Sequence, residues 1–140
     1  MSNTKLNPPE MSPHLGLFSH IVCHKQSGLA FISGQIAIDK SGAFIGKGDA
    51  AKQIEQVFKN IESALSSLGE DWRSVISLTT YLASSDYLPA FKETRKRLFD
   101  SFYLDGEYPA HTLLVVAALS SPDHLVEIEA VVSHSSGERA

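Results

Sequence analysis

The chain has 140 residues, 43% of them hydrophobic and 20% charged, which is enough for one globular domain with a core of its own. Its formal net charge is -4, and its only clustered cations are Arg95, Lys96 and Arg97, so the electrostatic footprint of a nucleic-acid binder is missing. The single cysteine, Cys23, excludes an internal disulfide, and no apolar run is long enough to span a bilayer. With no charged-then-apolar signal pattern at the start, the expected location is cytoplasmic.

Residues 1–14 read as a flexible N-terminal arm, polar and carrying Pro8, Pro9 and Pro13. Residues 15–133 read as a single domain, and residues 134–140 as a polar tail. Within the domain the first strand is predicted over Leu17–His24 and the second over Leu29–Ser33, joined at Ser27-Gly28 as a hairpin. Asp39–Gly48, with three glycines, reads as a loop.

The first helix is framed by Asp49, a good N-cap, and Gly69, at the position of a C′ glycine. Between them Ala51, Ile54, Phe58, Ile61, Leu65 and Leu68 recur at three- and four-residue steps and form one apolar stripe. Val75–Leu82 is a β-branched third strand, with Ile76, Leu78, Thr80 and Leu82 expected on one face. A second helix, capped by Ser85 or Asp86, is expected over about Tyr87–Tyr103 with Leu88, Phe91, Leu98 and Phe102 in its stripe. Pro109 enforces an extended start to a fourth strand, Ala110–Leu119. Ser120–Asp123 reads as a turn and His124–Ser133 as the last strand.

The predicted order is therefore ββαβαββ, an α+β domain with a mixed sheet covered by two helices. Two helices can cover only one face of such a sheet. The fourth strand, His111 to Leu119, is nevertheless apolar on both faces, and such a strand needs a second cover. Another copy of the chain is the expected cover, so a homo-oligomer is predicted.

Chemistry is concentrated on the last two strands. Val126, Ile128, Ala130 and Val132 form a pure apolar face, which sends Glu127 and Glu129 to the face assigned to the subunit contact. A carboxylate there is costly unless it is paired, hydrogen-bonded or at a wet cleft. It either orients water and accepts a proton or holds subunits together as an ion pair. His111 opens the fourth strand. If the two strands pair as a hairpin, it lies near Glu127 and Glu129, as a proton carrier, a carboxylate anchor or a structural histidine. His20 and His24 share a face but stand about 13 Å apart along an extended strand, which argues against a metal site. Ser33-Gly34-Gln35 ends the second strand in turn or bulge chemistry. No phosphate loop, dinucleotide fingerprint or serine elbow occurs.

Ser33-Gly34-Gln35, Leu68-Gly69, Tyr108-Pro109-Ala110 and Val126-Glu127-Ile128-Glu129-Ala130 stand in the order found in the Rid family, also called YjgF or endoribonuclease L-PSP, which the chain resembles from about Leu15 to Val132. The resemblance implies a chorismate-mutase-like fold and a homotrimer with a central barrel and three inter-subunit clefts, each holding a small-molecule ligand. It implies hydrolysis of enamines and imines with no cofactor, while the residues themselves give the expectation of no metal, no membrane and no nucleic-acid partner. It places Glu127 on the water-positioning glutamate and Ser33 and Gly34 on the cleft-lining strand end. The family's substrate-binding arginine corresponds to His111, its cleft tyrosine to Phe18, an asparagine of the second helix to Thr94, and a cysteine to Leu113.

Arginine grips a carboxylate bidentately and keeps its charge, whereas histidine offers two divergent donors at most. That exchange is worth about 1.5–3 kcal/mol and shifts the expected substrate away from small amino-acid-derived imines. Three functions follow: a Rid-like hydrolase using Glu127 and His111, a non-catalytic metabolite- or partner-binding trimer, and a ribonuclease. The acidic charge balance disfavours the last.

Overall fold

The computed structural model describes residues 3–13 and 16–135. Six strands and two helices follow in the order β1 (Thr4–Leu6), β2 (Ile21–His24), β3 (Leu29–Gln35), α1 (Ala50–Ser67), β4 (Val75–Leu82), α2 (Leu88–Phe102), β5 (Ala110–Val115) and β6 (Val126–Ser133). They build one mixed sheet in the order β1-β2-β3-β6-β4-β5. The predicted ββαβαββ order holds from β2 onward.

The N-terminal arm supplies a strand that its sequence does not announce. β1 pairs antiparallel with β2, Thr4 opposite Cys23 and Leu6 opposite Ile21. An edge strand needs only backbone partners on one side, so three residues can pair without an apolar alternation. Of the expected tail, His134 donates its backbone N–H to Gly28 O at 2.8 Å, and residues 136–140 lie outside the described residues.

α1 begins where Asp49 accepts a hydrogen bond from Lys52 N. It ends in a Schellman motif, in which Glu70 N–H bonds Leu65 O at 2.9 Å and Gly69 N–H bonds Ser66 O at 3.0 Å. Gly69 takes φ +72°, the left-handed conformation that favours glycine there. Ile54, Val57, Phe58, Ile61, Ala64 and Leu65 pack on the sheet, and α2 adds Phe91 and Phe99. Phe58 stacks on Phe91 with centroids 6.3 Å apart. Each such fully buried ring contributes about 2–3 kcal/mol.

α1 also buries two polar side chains that its apolar stripe does not suggest. Gln53 Nε2 donates to Gly46 O and Asp123 O, both at 3.0 Å, and its Oε1 accepts from Leu125 N. Asn60 Nδ2 donates to Ile36 O at 2.8 Å and Ile38 O at 2.9 Å. These bonds satisfy the backbone of the glycine-rich loop and of the segment leading into β6.

Four expectations change. Ser85–Tyr87 is a short 3-10 turn capped by Ser84, so α2 starts at Leu88. Ile76 is exposed, because the pairing of β4 with β6 slips between Val75 and Ser77 and turns Val75 inward instead. β5 stops at Val115, since it runs parallel to β4 and loses its partner where β4 ends at Leu82.

The last correction concerns topology. β5 and β6 do not form a hairpin. β6 lies between β3 and β4, antiparallel to both, and β5 is the edge strand beyond β4. A parallel β4–β5 pair requires a crossover, and α2 is that crossover. Both helices cover one face. On the other, Phe31 and Leu114 are 45% and 43% exposed, with Val22 and Val131 half-buried beside Phe31.

Candidate active site in two half-sites

The first half-site forms where β3 breaks register. Ile32 pairs with Ala130 and Gln35 with Ile128, so Ser33 and Gly34 bulge out of the ladder. Ser33 Oγ donates to Ser19 O at 2.6 Å. Gln35, buried, donates through Nε2 to Ser33 O at 2.9 Å and to His20 Nδ1 at 3.3 Å. His20 Nε2 in turn donates to Ser12 O at 2.9 Å. This relay ties the segment before β2 to the bulge.

Gly34 leaves room for the side chain it faces. A Cβ there would sit 2.1 Å from Glu127 Oε2 and 2.8 Å from its Cδ. The carboxylate therefore lies directly against the bulged backbone. Around it is a pocket of about 460 Å³ lined by Phe18, His20, Ser33, Gly34, Ser120 and Glu127, among others. Phe18 stands in the bend before β2 and meets His20 edge-on at 5.7 Å.

The two carboxylates of β6 share the uncovered face but not a role. Glu129 is exposed and accepts a close hydrogen bond from the Tyr81 hydroxyl, whose own pKa this bond raises. Glu127 is half-buried, and among the described residues no donor reaches it. Burial, helped by the Glu129 charge, pushes its carboxyl above the ordinary glutamate range. A pocket carboxylate that no described donor engages, made more basic by burial, is equipped to hold a water and take its proton.

The second half-site lies on the helix-covered face. His111 pairs in register with Leu78, a core residue, and its ring contacts Phe91 and Phe99 of α2. Its Nε2 lies 2.8 Å from Thr80 Oγ1, and its Nδ1 lies 3.4 Å from Arg95 Nη1. Desolvation, then the Arg95 charge, lowers its pKa to about 4. The ring is thus neutral at pH 7. Because a guanidinium only donates, Nδ1 is the acceptor, and Nε2 carries the proton given to Thr80. A pocket of about 320 Å³ opens here, lined by Arg95, Phe99, Tyr108, Pro109 and His111 together with Lys92, Lys96 and Asp100.

The predicted residues are thus divided. Phe18, Ser33, Gly34 and Glu127 meet in one pocket, while His111 lines the other. Within one chain His111 and Glu127 lie on opposite faces, because they stand level with Leu78 and Tyr81 of β4, which alternation sends to opposite sides of the sheet. Thr94 is buried at 4% exposure and Leu113 packs against the core, so neither lines either pocket. Arg95 was hidden in what reads as a solvated Arg95-Lys96-Arg97 run. Its signal was the four-residue step Phe91, Arg95, Phe99, which sets it in the apolar stripe.

Among the described residues no helix is long and apolar enough to cross a membrane. Nor do three His, Cys, Asp or Glu side chains there converge as metal ligands.

Two helices on one face of this mixed sheet, with a bulged strand end cradling a carboxylate, define the class as a chorismate-mutase-like α+β domain. The family model described as Endoribonuclease L-PSP matches residues 10–134, and the chain belongs to that family, which includes the Rid and RutC proteins. A RutC family protein of Pyrococcus horikoshii is 32% identical over 117 residues, 84% of this chain and 86% of that one. Human 2-iminobutanoate/2-iminopropanoate deaminase is 34% identical over 101 residues, 72% of this chain and 69% of that one. The crystal structure of a Thermotoga maritima protein superposes with a TM-score of 0.80 at 26% identity, covering 93% and 96% of the two chains.

Proposed function

We propose that the protein is a Rid-type hydrolase of an enamine or imine other than the small amino-acid-derived ones, acting in clefts between the subunits of a homotrimer. The observation that carries the reading is the Glu127 carboxylate, seated against Gly34 in a pocket and untouched by any described donor. The similarity to a human imine deaminase supports the reaction class. The uncovered sheet face, with Phe31 and Leu114, supports the oligomer around a central barrel.

In the reaction, Glu127 accepts a proton from a bound water as its oxygen bonds to the imine carbon. That proton is delivered to the imine nitrogen, which gives a neutral carbinolamine. Glu127 then takes the hydroxyl proton and passes it to the amino group, the C–N bond breaks, and the products are a carbonyl compound and ammonia, with no change of oxidation state. Ser33 and Gly34 shape the pocket wall beside the water. Phe18, half exposed, gives the entrance an apolar side. His111 reaches this chemistry only from a neighbouring subunit, and it does so through Arg95, because both of its ring nitrogens are already engaged.

The test supplies imines in situ, released from a panel of amino acids by an amino-acid oxidase, and follows carbonyl formation. The expected outcome is acceleration above the spontaneous rate for at least one long or aromatic imine. Glu127→Gln should lower that rate about 10²- to 10⁴-fold, as for loss of a general base. No acceleration across the panel sinks the proposal.

A further inference from the structure

We infer that Arg95 is the specificity-determining residue of the α2–β5 pocket, where its guanidinium grips a carboxylate attached to an apolar or aromatic body, and that His111 is its positioning residue. This deepens the proposed function and rests on it for the identity of the reacting group.

The argument begins with which cations are already neutralised. Arg73 pairs with Asp71, Lys96 with Asp100, and Arg97 with Glu55. Among the described residues no carboxylate lies within ion-pair reach of Arg95. It is held instead by two neutral groups. Its guanidinium carbon lies 5.2 Å over the Phe91 ring, and one Nη1 donor points to His111 Nδ1. A guanidinium has five N–H donors in a planar fork, and beyond the one shared with His111 none meets an acceptor among the described residues, while Arg95 lines the pocket. That fork matches a carboxylate bidentately.

His111 serves this arrangement by staying neutral. Held through Nε2 by buried Thr80, it offers Arg95 a lone pair, and a second positive charge there would repel the guanidinium. The pocket also carries the charge of Lys92, while Lys96 and Asp100 cancel. Phe99, Tyr108 and Pro109 form an apolar wall beside these cations. An anion with an apolar body fits this wall better than a small hydrophilic one. The charge that a strand arginine would bring at position 111 is therefore restored from the helix, and from a different direction.

The experiment measures binding rather than turnover, with 2-oxo-4-phenylbutanoate and its carboxamide as unreactive stand-ins, by calorimetry on the intact protein. The acid should bind about ten- to a hundredfold more tightly than the amide, the worth of a charge-assisted contact. Arg95→Gln should erase that difference, and Arg95→Lys should restore it only in part. In the same Arg95→Gln protein the His111 imidazole should titrate at higher pH by NMR, while Arg95→Lys, which keeps the positive charge, should hold it nearer its natural value, a contrast that loss of packing alone would not give. Equal binding of acid and amide, or an acid affinity untouched in Arg95→Gln, overturns the inference. Arg95-dependent binding without imine turnover leaves it standing and sinks the hydrolase reading. Turnover indifferent to both charge and Arg95 does the reverse.

Discussion

At the residue scale, chemistry here is decided by which side chains are left without partners. Glu129 spends its charge on Tyr81, and Glu127 does not, so adjacent positions on one face have different uses. Alternation along the last strand made both glutamates visible in the sequence, but not their division of labour, which depends on Tyr81 from another strand. Gly34 by itself reads as bulge chemistry and only the resemblance sets it in a cleft; the carboxylate lying against it supplies the physical reason. His111 yields a prediction of its own. Its pKa is about 4 in the fold against an ordinary 6.5, so between those values the unfolded chain binds the proton and the fold does not. The stability this contributes is complete above pH 6.5, falls as the pH drops toward 4, and changes no further below. Urea unfolding at pH 7 and pH 5 should therefore show a smaller loss in His111→Gln than in the natural protein. An equal loss would show that His111 is not desolvated as described.

At the scale of elements, local signals were enough for α1, β4 and β6, whose caps, stripe and alternation are strong. They failed for β1, whose three residues carry no pattern, and for the neighbour of β5. Sequence proximity favours a β5–β6 hairpin, yet β6 has the pure apolar face that suits the sheet centre. β5 is left at the edge, reached through α2. This order puts β4 between the two strands, and its register with each sends His111 and Glu127 to opposite faces, a separation that depends on pairing rather than on a local pattern. Gln53 shows how the elements are then fastened. It is fully buried and bridges the glycine-rich loop, Asp123 and Leu125 from one helix position. Gln53→Ala leaves Asp123 O and Leu125 N without the partner they have here and takes from Gly46 O one of its two donors, the other being Asp49 N. It should lower stability by on the order of 3 kcal/mol in chemical denaturation. A loss under about 0.5 kcal/mol would mean that these loops are held by other contacts.

At the scale of the whole molecule, one chain holds two incomplete half-sites, one on each face of its sheet. The sequence anticipated the need for a second copy, from a strand apolar on both sides and an uncovered sheet face. The resemblance placed the ligand in a cleft between copies, but did not give the division of Glu127 and His111 between two pockets of one chain. On the proposed reading, the Glu127 pocket of one subunit meets the Arg95–His111 pocket of the next in a ring of three. The most direct test mixes two damaged proteins, Glu127→Gln and Arg95→Glu, each first checked to be oligomeric and inactive toward an imine that the natural protein hydrolyses. Every mixed trimer then contains one cleft with an intact Glu127 from one subunit and an intact Arg95 from its neighbour. Co-expression or subunit exchange should restore about one working cleft per mixed trimer. A mixture no more active than its two components, although mixed oligomers have formed, would contradict the shared cleft.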